Sequence, residues 1–129
     1  MNFNNSNQVL NTWLNGINAG DLDGVLALYS QDAMLIPTFF NQFLNTPEAI
    51  QGYFEKLGNH KRLSIDLHEK TVVTQQMTEN LHSIAGVYCW RFEVSGSLMS
   101  FEARFTFVCD LNSKTPIIHH HSSQVPRML

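Results

Sequence analysis

The residues of this chain with the most chemistry lie near its end, where Phe101 to Pro126 reads FEARFTFVCDLNSKTPIIHHHSSQVP. Strand side chains alternate between faces with period two, and two alternating runs flank the turn-like DLNSKTP, so the stretch reads as two adjacent antiparallel strands. Over 101–109, Phe101, Ala103, Phe105, Phe107 and Cys109 share one face; Glu102, Arg104, Thr106 and Val108 share the other. Over 117–123, His119, His121 and Ser123 share a face, opposite Ile118, His120 and Ser122. With Glu102, Arg104, His119 and His121 turned inward together, one wall carries a carboxylate, a guanidinium and two imidazoles. A guanidinium grips a carboxylate bidentately, and an imidazole titrates near neutral pH, where it can serve as acid or base. A run of three His also resembles a tag remnant. It follows Ile117-Ile118 and precedes SSQVPRML, so we read it as native strand.

Each of these roles has a plainer alternative. A buried Arg104 costs several kcal/mol unless paired. It is therefore either a structural partner of Glu102 or another carboxylate at a subunit interface, or an anion-binding residue that Glu102 orients. His119 and His121 project the same way, as metal ligands would. Zinc wants three or four ligands, and no Cys, Asp or Glu completes the set. No metal and no cofactor is expected, and hydrogen-bonded imidazoles need no ligand.

Composition narrows the setting. The chain has 129 residues, 43% of them hydrophobic, which fits one domain over 1–129 with a core that needs no disulfide or metal staple. The net charge is -3, and the basic residues are scattered, with Lys61-Arg62 the one basic pair. No basic stripe meets a phosphate backbone, so nucleic acid is not an expected partner. Cys89 and Cys109 stand in apolar runs without a CxxC partner and read as small buried thiols. The polar start MNFNNSNQ lacks a signal pattern, and no apolar run approaches the roughly 18 residues of a membrane helix. A soluble, cytoplasmic protein without a membrane partner is expected.

The elements that position these residues follow from periodicity. Residues 1–5 are Asn-rich and read as frayed. Val9, Leu10, Trp13, Leu14 and Ile17 form a helical stripe, which Ser6 caps and Gly20 ends. Asp21 caps a second helix with Leu22, Val25, Leu26, Leu28 and Tyr29 on its apolar face, ending at Asp32-Ala33. Met34 to Ile36 is a brief strand stopped by Pro37. The loop 38–46 carries three phenylalanines that tuck over a core, a pocket or a partner. Thr46-Pro47-Glu48 starts a third helix with Ile50, Tyr53, Phe54 and Leu57. Strands follow at about 63–75, 81–94, 97–110 and 116–124, with turns at Thr78-Glu79-Asn80, Ser95-Gly96-Ser97 and DLNSKTP. Helices first and a meander after is the order of an α+β fold: three N-terminal helices on a curved, mainly antiparallel sheet forming a conical pocket.

In this arrangement the chain resembles the nuclear transport factor 2-like (cystatin-like α+β cone) superfamily. Within it, it is most similar to the association domain of calcium/calmodulin-dependent protein kinase II and its stand-alone bacterial relatives. Gly20-Asp21-Leu22, Tyr53-Phe54-Glu55, Glu102-Ala103-Arg104 and His119-x-His121-Ser-Ser-x-x-Pro126 carry the resemblance, with Leu35-Ile36-Pro37-Thr38 and Ala103 to Val108 beside them. It implies a homo-oligomer built through the sheet, a dimer being expected, and a deep pocket for a small carboxylate-bearing or polar ligand. Arg104 would bind the anion, Glu102, His119 and His121 would line the wall, and Arg91 and Tyr53 would join them. The chain departs from the kinase pattern at His120, an aromatic position there, and at Thr115-Pro116, where relatives commonly place a Trp.

The same superfamily includes ketosteroid isomerase, scytalone dehydratase and polyketide cyclases. The isomerase uses an Asp base with a Tyr and a protonated Asp. The base position falls here on Ile36, which cannot abstract a proton; Tyr29, Asp32 and Tyr53 remain. The leading expectation is thus a self-associating domain that binds a small acidic or polar metabolite. Its rivals are an enzyme of the same fold using His119 or His121 as acid/base, and an oligomerisation module with no working pocket.

Overall fold

The structure, a computed structural model, describes residues 3–126. Helix α1 spans Ser6–Ala19 and buries Val9, Leu10, Trp13, Leu14 and Ile17, the stripe expected from the sequence. Its cap differs from expectation. Asn5, not Ser6, accepts the Gln8 N–H, and Ser6 is the first helical residue. Phe3 is buried in the core, so residues 3–5 are fastened rather than frayed; Met1 and Asn2 lie outside the described residues. Gly20 closes the helix at φ 68°, the left-handed conformation that costs glycine little.

Helix α2 is short, Leu22–Leu26, capped by Asp21, whose carboxylate accepts the Gly24 N–H. The corner between the two helices is tight: a Cβ on Gly16 would stand 2.7 Å from Val25 Cγ2. The expected continuation of this helix to Asp32-Ala33 does not occur. Strand β1 runs instead over Tyr29–Ile36, so Tyr29 is a strand residue. The reason is tertiary, because β1 covers an edge that would otherwise be left with unpaired backbone groups. Helix α3, Pro47–Gly58, begins as its sequence demands, with Thr46 Oγ1 accepting the Ala49 N–H and Pro47 in the first turn.

The remaining strands are β2 (Ser64–Gln76), β3 (Leu81–Val94), β4 (Ser97–Asp110) and β5 (Ile117–Gln124). They lie within a residue or two of the expected runs. Ser95 and Gly96, both at positive φ, make the two-residue turn whose twist suits a hairpin. The curved, open sheet has the order β1-β5-β4-β3-β2. The four-strand meander is antiparallel, and β1 adds to it in parallel beside β5, with Met34 opposite His119 and Ile36 opposite His121.

Helix α1 crosses β2, β3 and β4, while α3 packs on β1. Asn18 clips α1 to the β2 edge by donating to Ile65 O and accepting the Ile65 N–H. The core lies between these helices and the inward face of the sheet, where Ile84, Tyr88, Trp90, Phe92, Ala103, Phe105, Phe107 and Cys109 are buried. The 37–46 loop is fastened by paired backbone bonds between Leu35 and Leu44. Phe39 tucks under it against Trp90, Phe92 and Phe101; Phe40 and Phe43 stay exposed. No helix among the described residues is long and apolar enough to cross a membrane.

Candidate functional site

The inward face of β4 is its apolar one, so Arg104 and Glu102 point away from the core. In β5 the register pairs Val108 with His119 and Cys109 with Ile117, leaving Ile118 as an extra residue in a bulge. From there Phe107 faces His120, Thr106 faces His121 and Arg104 faces Ser123. His119, His121, Glu102 and Arg104 do share a face, as the alternation implied. That face is the outward one, and the expectation that they turn inward is corrected: an apolar row this long occupies the core side.

On the outward face Glu102 meets His68 at 3.3 Å, not Arg104. Arg104 is exposed and makes no ion pair among the described residues. His121 Nε2 shares a hydrogen bond with Ser123 Oγ. Arg91 also points outward and pairs with Asp66 across β2 and β3. Burial, and His121 second, lowers the proton affinity of His119. No group of three or more potential metal-ligating His, Cys, Asp or Glu side chains comes together among the described residues.

The site that the fold does build lies on the other side, around His120. This imidazole is 2% exposed. Phe107 stacks on it at 3.9 Å between ring centroids, and Trp13 stands edge-on to it at 5.3 Å. Its Nδ1 is 2.7 Å from the Tyr29 hydroxyl and its Nε2 is 3.1 Å from the Tyr88 hydroxyl. Trp13 Nε1 donates to Tyr29 at 3.1 Å, Tyr88 donates to Ser122 at 2.7 Å, and Ser122 and Thr38 share a short hydroxyl–hydroxyl bond.

Protonation directions follow from the donor inventory. An indole can only donate, so Tyr29 accepts from Trp13 and spends its own proton on His120 Nδ1. Tyr88 spends its proton on Ser122 and therefore accepts from His120 Nε2–H. The imidazole is thus the neutral Nε2–H tautomer, and burial, with His119 and His121 adding to it, drives its proton affinity well below the usual His range. Burial likewise pushes the Tyr29 and Tyr88 hydroxyls far above ordinary tyrosine, against the opposing effect of the hydrogen bonds that Tyr29 accepts from Trp13 and Tyr88 donates to Ser122. Both stay protonated, as the chain of donors requires.

Whichever of Ser122 and Thr38 donates to the other, one hydroxyl proton is left over at that end. A second spare donor stands nearby: Trp90 Nε1 is buried and has no acceptor among the described residues. Thr38, Ser122, His120, Tyr88, Trp90 and Tyr53 all line one interior cavity of about 10 Å³, the room of a single water. Tyr53 also belongs to the wall of a larger apolar groove of about 580 Å³, which Phe39, Phe92, Phe101, Lys56 and His60 help to line. Its hydroxyl accepts the Phe39 N–H at 3.4 Å, and burial pushes its pKa up to about 12. Tyr53 thus stands between groove and cavity. A third hollow, about 650 Å³ between the α1–α2 corner and the end of α3, takes no part in the polar chain.

Of the residues singled out by sequence, only Tyr53 lines this interior. Tyr29 was weighed only for isomerase chemistry; Trp13, Tyr88, Trp90, His120, Ser122 and Thr38 had no role assigned. The signal available for them was the parity of β3 and β4, whose apolar faces mark the core side.

A curved, mainly antiparallel sheet with helices over one face and a polar floor is the architecture of the nuclear transport factor 2-like, cystatin-like proteins. Within that class, residues 4–126 match the family described as the calcium/calmodulin dependent protein kinase II association domain, and the chain belongs to that family. It is similar to a Xanthomonas campestris protein described as such an association domain. Identity is 27% and the TM-score 0.84, over 95% of this chain and 87% of that one. It also resembles a ketosteroid isomerase-like protein of Erwinia carotovora atroseptica (14% identity, TM-score 0.73, 97% and 100% covered). A Novosphingobium aromaticivorans protein described as a scytalone dehydratase (9%, 0.80, 94% and 82%) shares the fold too. Among curated proteins, no sequence match is found.

Proposed function

We propose that this protein self-associates, as a dimer, through the outward face of its sheet and holds a small molecule in the cone on the inward face. The observation that carries the ligand half is the buried hydrogen-bonded run from Trp13 to Thr38, with Trp90 Nε1 left over beside it. Each such bond returns only about 1 kcal/mol net, and an unmade one costs about 1–3 kcal/mol. A core built for stability alone is better filled with apolar side chains.

Family membership supports the self-association half, as does the X. campestris relative described as an association domain. On the outward face Val87, Thr106 and Val108 are half-buried around the exposed Arg104. Glu102, Arg104, His119 and His121 then act between copies, where a partner carboxylate neutralises Arg104. The acid/base enzyme reading has weaker support, because His119 and His121 lie outside the cone and both ring nitrogens of His120 are already engaged.

Light scattering on the eluting protein tests the assembly. Wild type is expected at twice the 14.7 kDa chain mass, and Arg104→Glu is expected to shift to the single-chain mass with its far-ultraviolet spectrum unchanged. A wild-type monomer at micromolar concentration rules the assembly out. A thermal-shift screen of small molecules, charged, polar and apolar, tests the pocket, since a ligand at a hundredfold excess over Kd stabilises by about 2.7 kcal/mol.

A further inference from the structure

We infer that the ligand of the cone is a neutral, largely apolar molecule bearing one hydrogen-bond acceptor. Its acceptor enters the interior cavity to take the spare protons of Trp90 and the Ser122–Thr38 pair, while its body lies in the groove behind Phe39 and Tyr53. This rests on the small-molecule reading above and names the chemical class of the ligand.

Three observations converge on that class. The first is donor excess: Trp90 Nε1 has no acceptor among the described residues, and the Ser122–Thr38 pair holds one hydroxyl proton beyond its mutual bond, which Thr38 shares with the Tyr53 hydroxyl. A group placed there is asked to accept, not to donate. The second is charge. No Lys or Arg lines the cavity, and its imidazole is held neutral between two tyrosines. A carboxylate there would be a buried charge without a counterion, which costs several kcal/mol. Carbonyl, ether or hydroxyl oxygen carries no such penalty.

The third is size and position. The cavity has room for one polar atom, so the rest of the molecule must lie elsewhere, and the adjoining groove of about 580 Å³ is walled by Phe39, Phe92, Phe101 and Leu57. Tyr53 lines both, and Phe39 lines the groove beside it. A long 3.4 Å bond joins them, and they sit on different elements, the loop after β1 and helix α3. A modest swing of the Tyr53 ring, which is on helix α3, connects groove and cavity without breaking a strand pairing.

The chain's two tryptophans, Trp13 and Trp90, both line the cavity, so intrinsic fluorescence reads the site directly. Acetophenone is titrated into the full-length protein beside benzoate, which is of like shape but anionic, and ethylbenzene, which lacks the acceptor. Acetophenone is expected to change the emission and to bind about tenfold more tightly than ethylbenzene, the worth of about one hydrogen bond. Benzoate is expected to be weaker still. In Trp90→Phe, with Trp13 as remaining reporter, acetophenone should lose part of its advantage over ethylbenzene, the Ser122–Thr38 hydroxyl donor remaining. The wild-type series stands without the variant if Trp90→Phe fails to fold. Benzoate binding as tightly as acetophenone overturns the neutral class and leaves a ligand pocket standing. Equal binding of acetophenone and ethylbenzene overturns the role of the spare donors. An unchanged emission with all three overturns both this inference and the pocket reading.

Discussion

The two faces of β5 hold chemically similar residues under opposite conditions. His120 and Ser122 are each 2% exposed, with every ring nitrogen and hydroxyl oxygen engaged. One residue to either side, His119 is only half-buried and His121 is exposed, its Nε2 bonded to the hydroxyl of Ser123. The same side chain is a fixed neutral connector on one face and a solvent-facing ring on the other. Residue type alone said little about role; parity decided it, and the bulge at Ile118 set the parity.

The sharpest break of this symmetry is a matched pair of substitutions. His120→Ala leaves the Tyr29 and Tyr88 hydroxyls without a shared partner and opens a void beside Trp13 and Phe107. The loss expected is about 3–5 kcal/mol, combining a cavity with unmade buried bonds. His121→Ala on the outer face should stay within about 0.5 kcal/mol. Urea denaturation of both variants measures the difference; a His120→Ala cost no larger than that of His121→Ala would refute the buried chain.

Acidification probes the same contrast with no mutation. Burial lowers the proton affinity of His120 in the fold, so the unfolded chain binds the proton more readily and stability rises with pH. The contribution is complete above the unfolded value of about 6.5 and is lost as the pH falls below it. The loss amounts to at most about 1.4 kcal/mol per pH unit, continuing until the folded site itself protonates. His119 is shifted in the same direction and adds to the slope. The groups facing His120 are Tyr29, Tyr88, Trp13 and Phe107. Both tyrosines remain protonated throughout, so the slope belongs to the histidines. His120→Gln, which keeps a donor and an acceptor, should flatten the dependence of unfolding free energy on pH more than His119→Gln does.

The fold was legible because its signals are local: the apolar stripe of α1, Thr46-Pro47 opening α3, and Ser95-Gly96 turning β3 into β4. Where a distant partner overrode local preference, the reading failed. Tyr29 continues the helical apolar face of Leu22, Val25, Leu26 and Leu28, yet it opens a strand that pairs in parallel with β5 at Tyr29 and at Met34 to Ile36 and covers its edge. The site was less legible for the same reason. The row of Phe101, Ala103, Phe105, Phe107 and Cys109 marks the core side of β4 and so turns Arg104 out to solvent; a polar wall assembled from the opposite row had to lie outside. In β5 neither row is apolar, and no local pattern says that a bulge at Ile118 turns His120 inward. The hydrogen-bonded run draws on α1, β1, its following loop, β3 and β5, a convergence that only the tertiary structure supplies.

The smallest effect expected comes from the outer face, and it sharpens the comparison by its size. Glu102 and His68 approach to 3.3 Å, a pair of opposite charges only when the imidazole is protonated, and their side chains are 56% and 44% exposed. Water screens such a pair, and exposed ion pairs contribute about 0–1 kcal/mol. Glu102→Gln should therefore change the monomer's unfolding free energy by no more than about 0.5 kcal/mol, the change shrinking as salt is added. If this face is also the contact between copies, the same substitution does more to association than to folding, because docking removes the water that screens the pair and leaves neighbouring charges uncompensated. Unfolding measured as a function of protein concentration separates the two. A Glu102→Gln penalty that appears only at concentrations where wild type is dimeric assigns the outer face to assembly. A penalty independent of concentration confines Glu102 to its own chain and takes the outer face out of the interface.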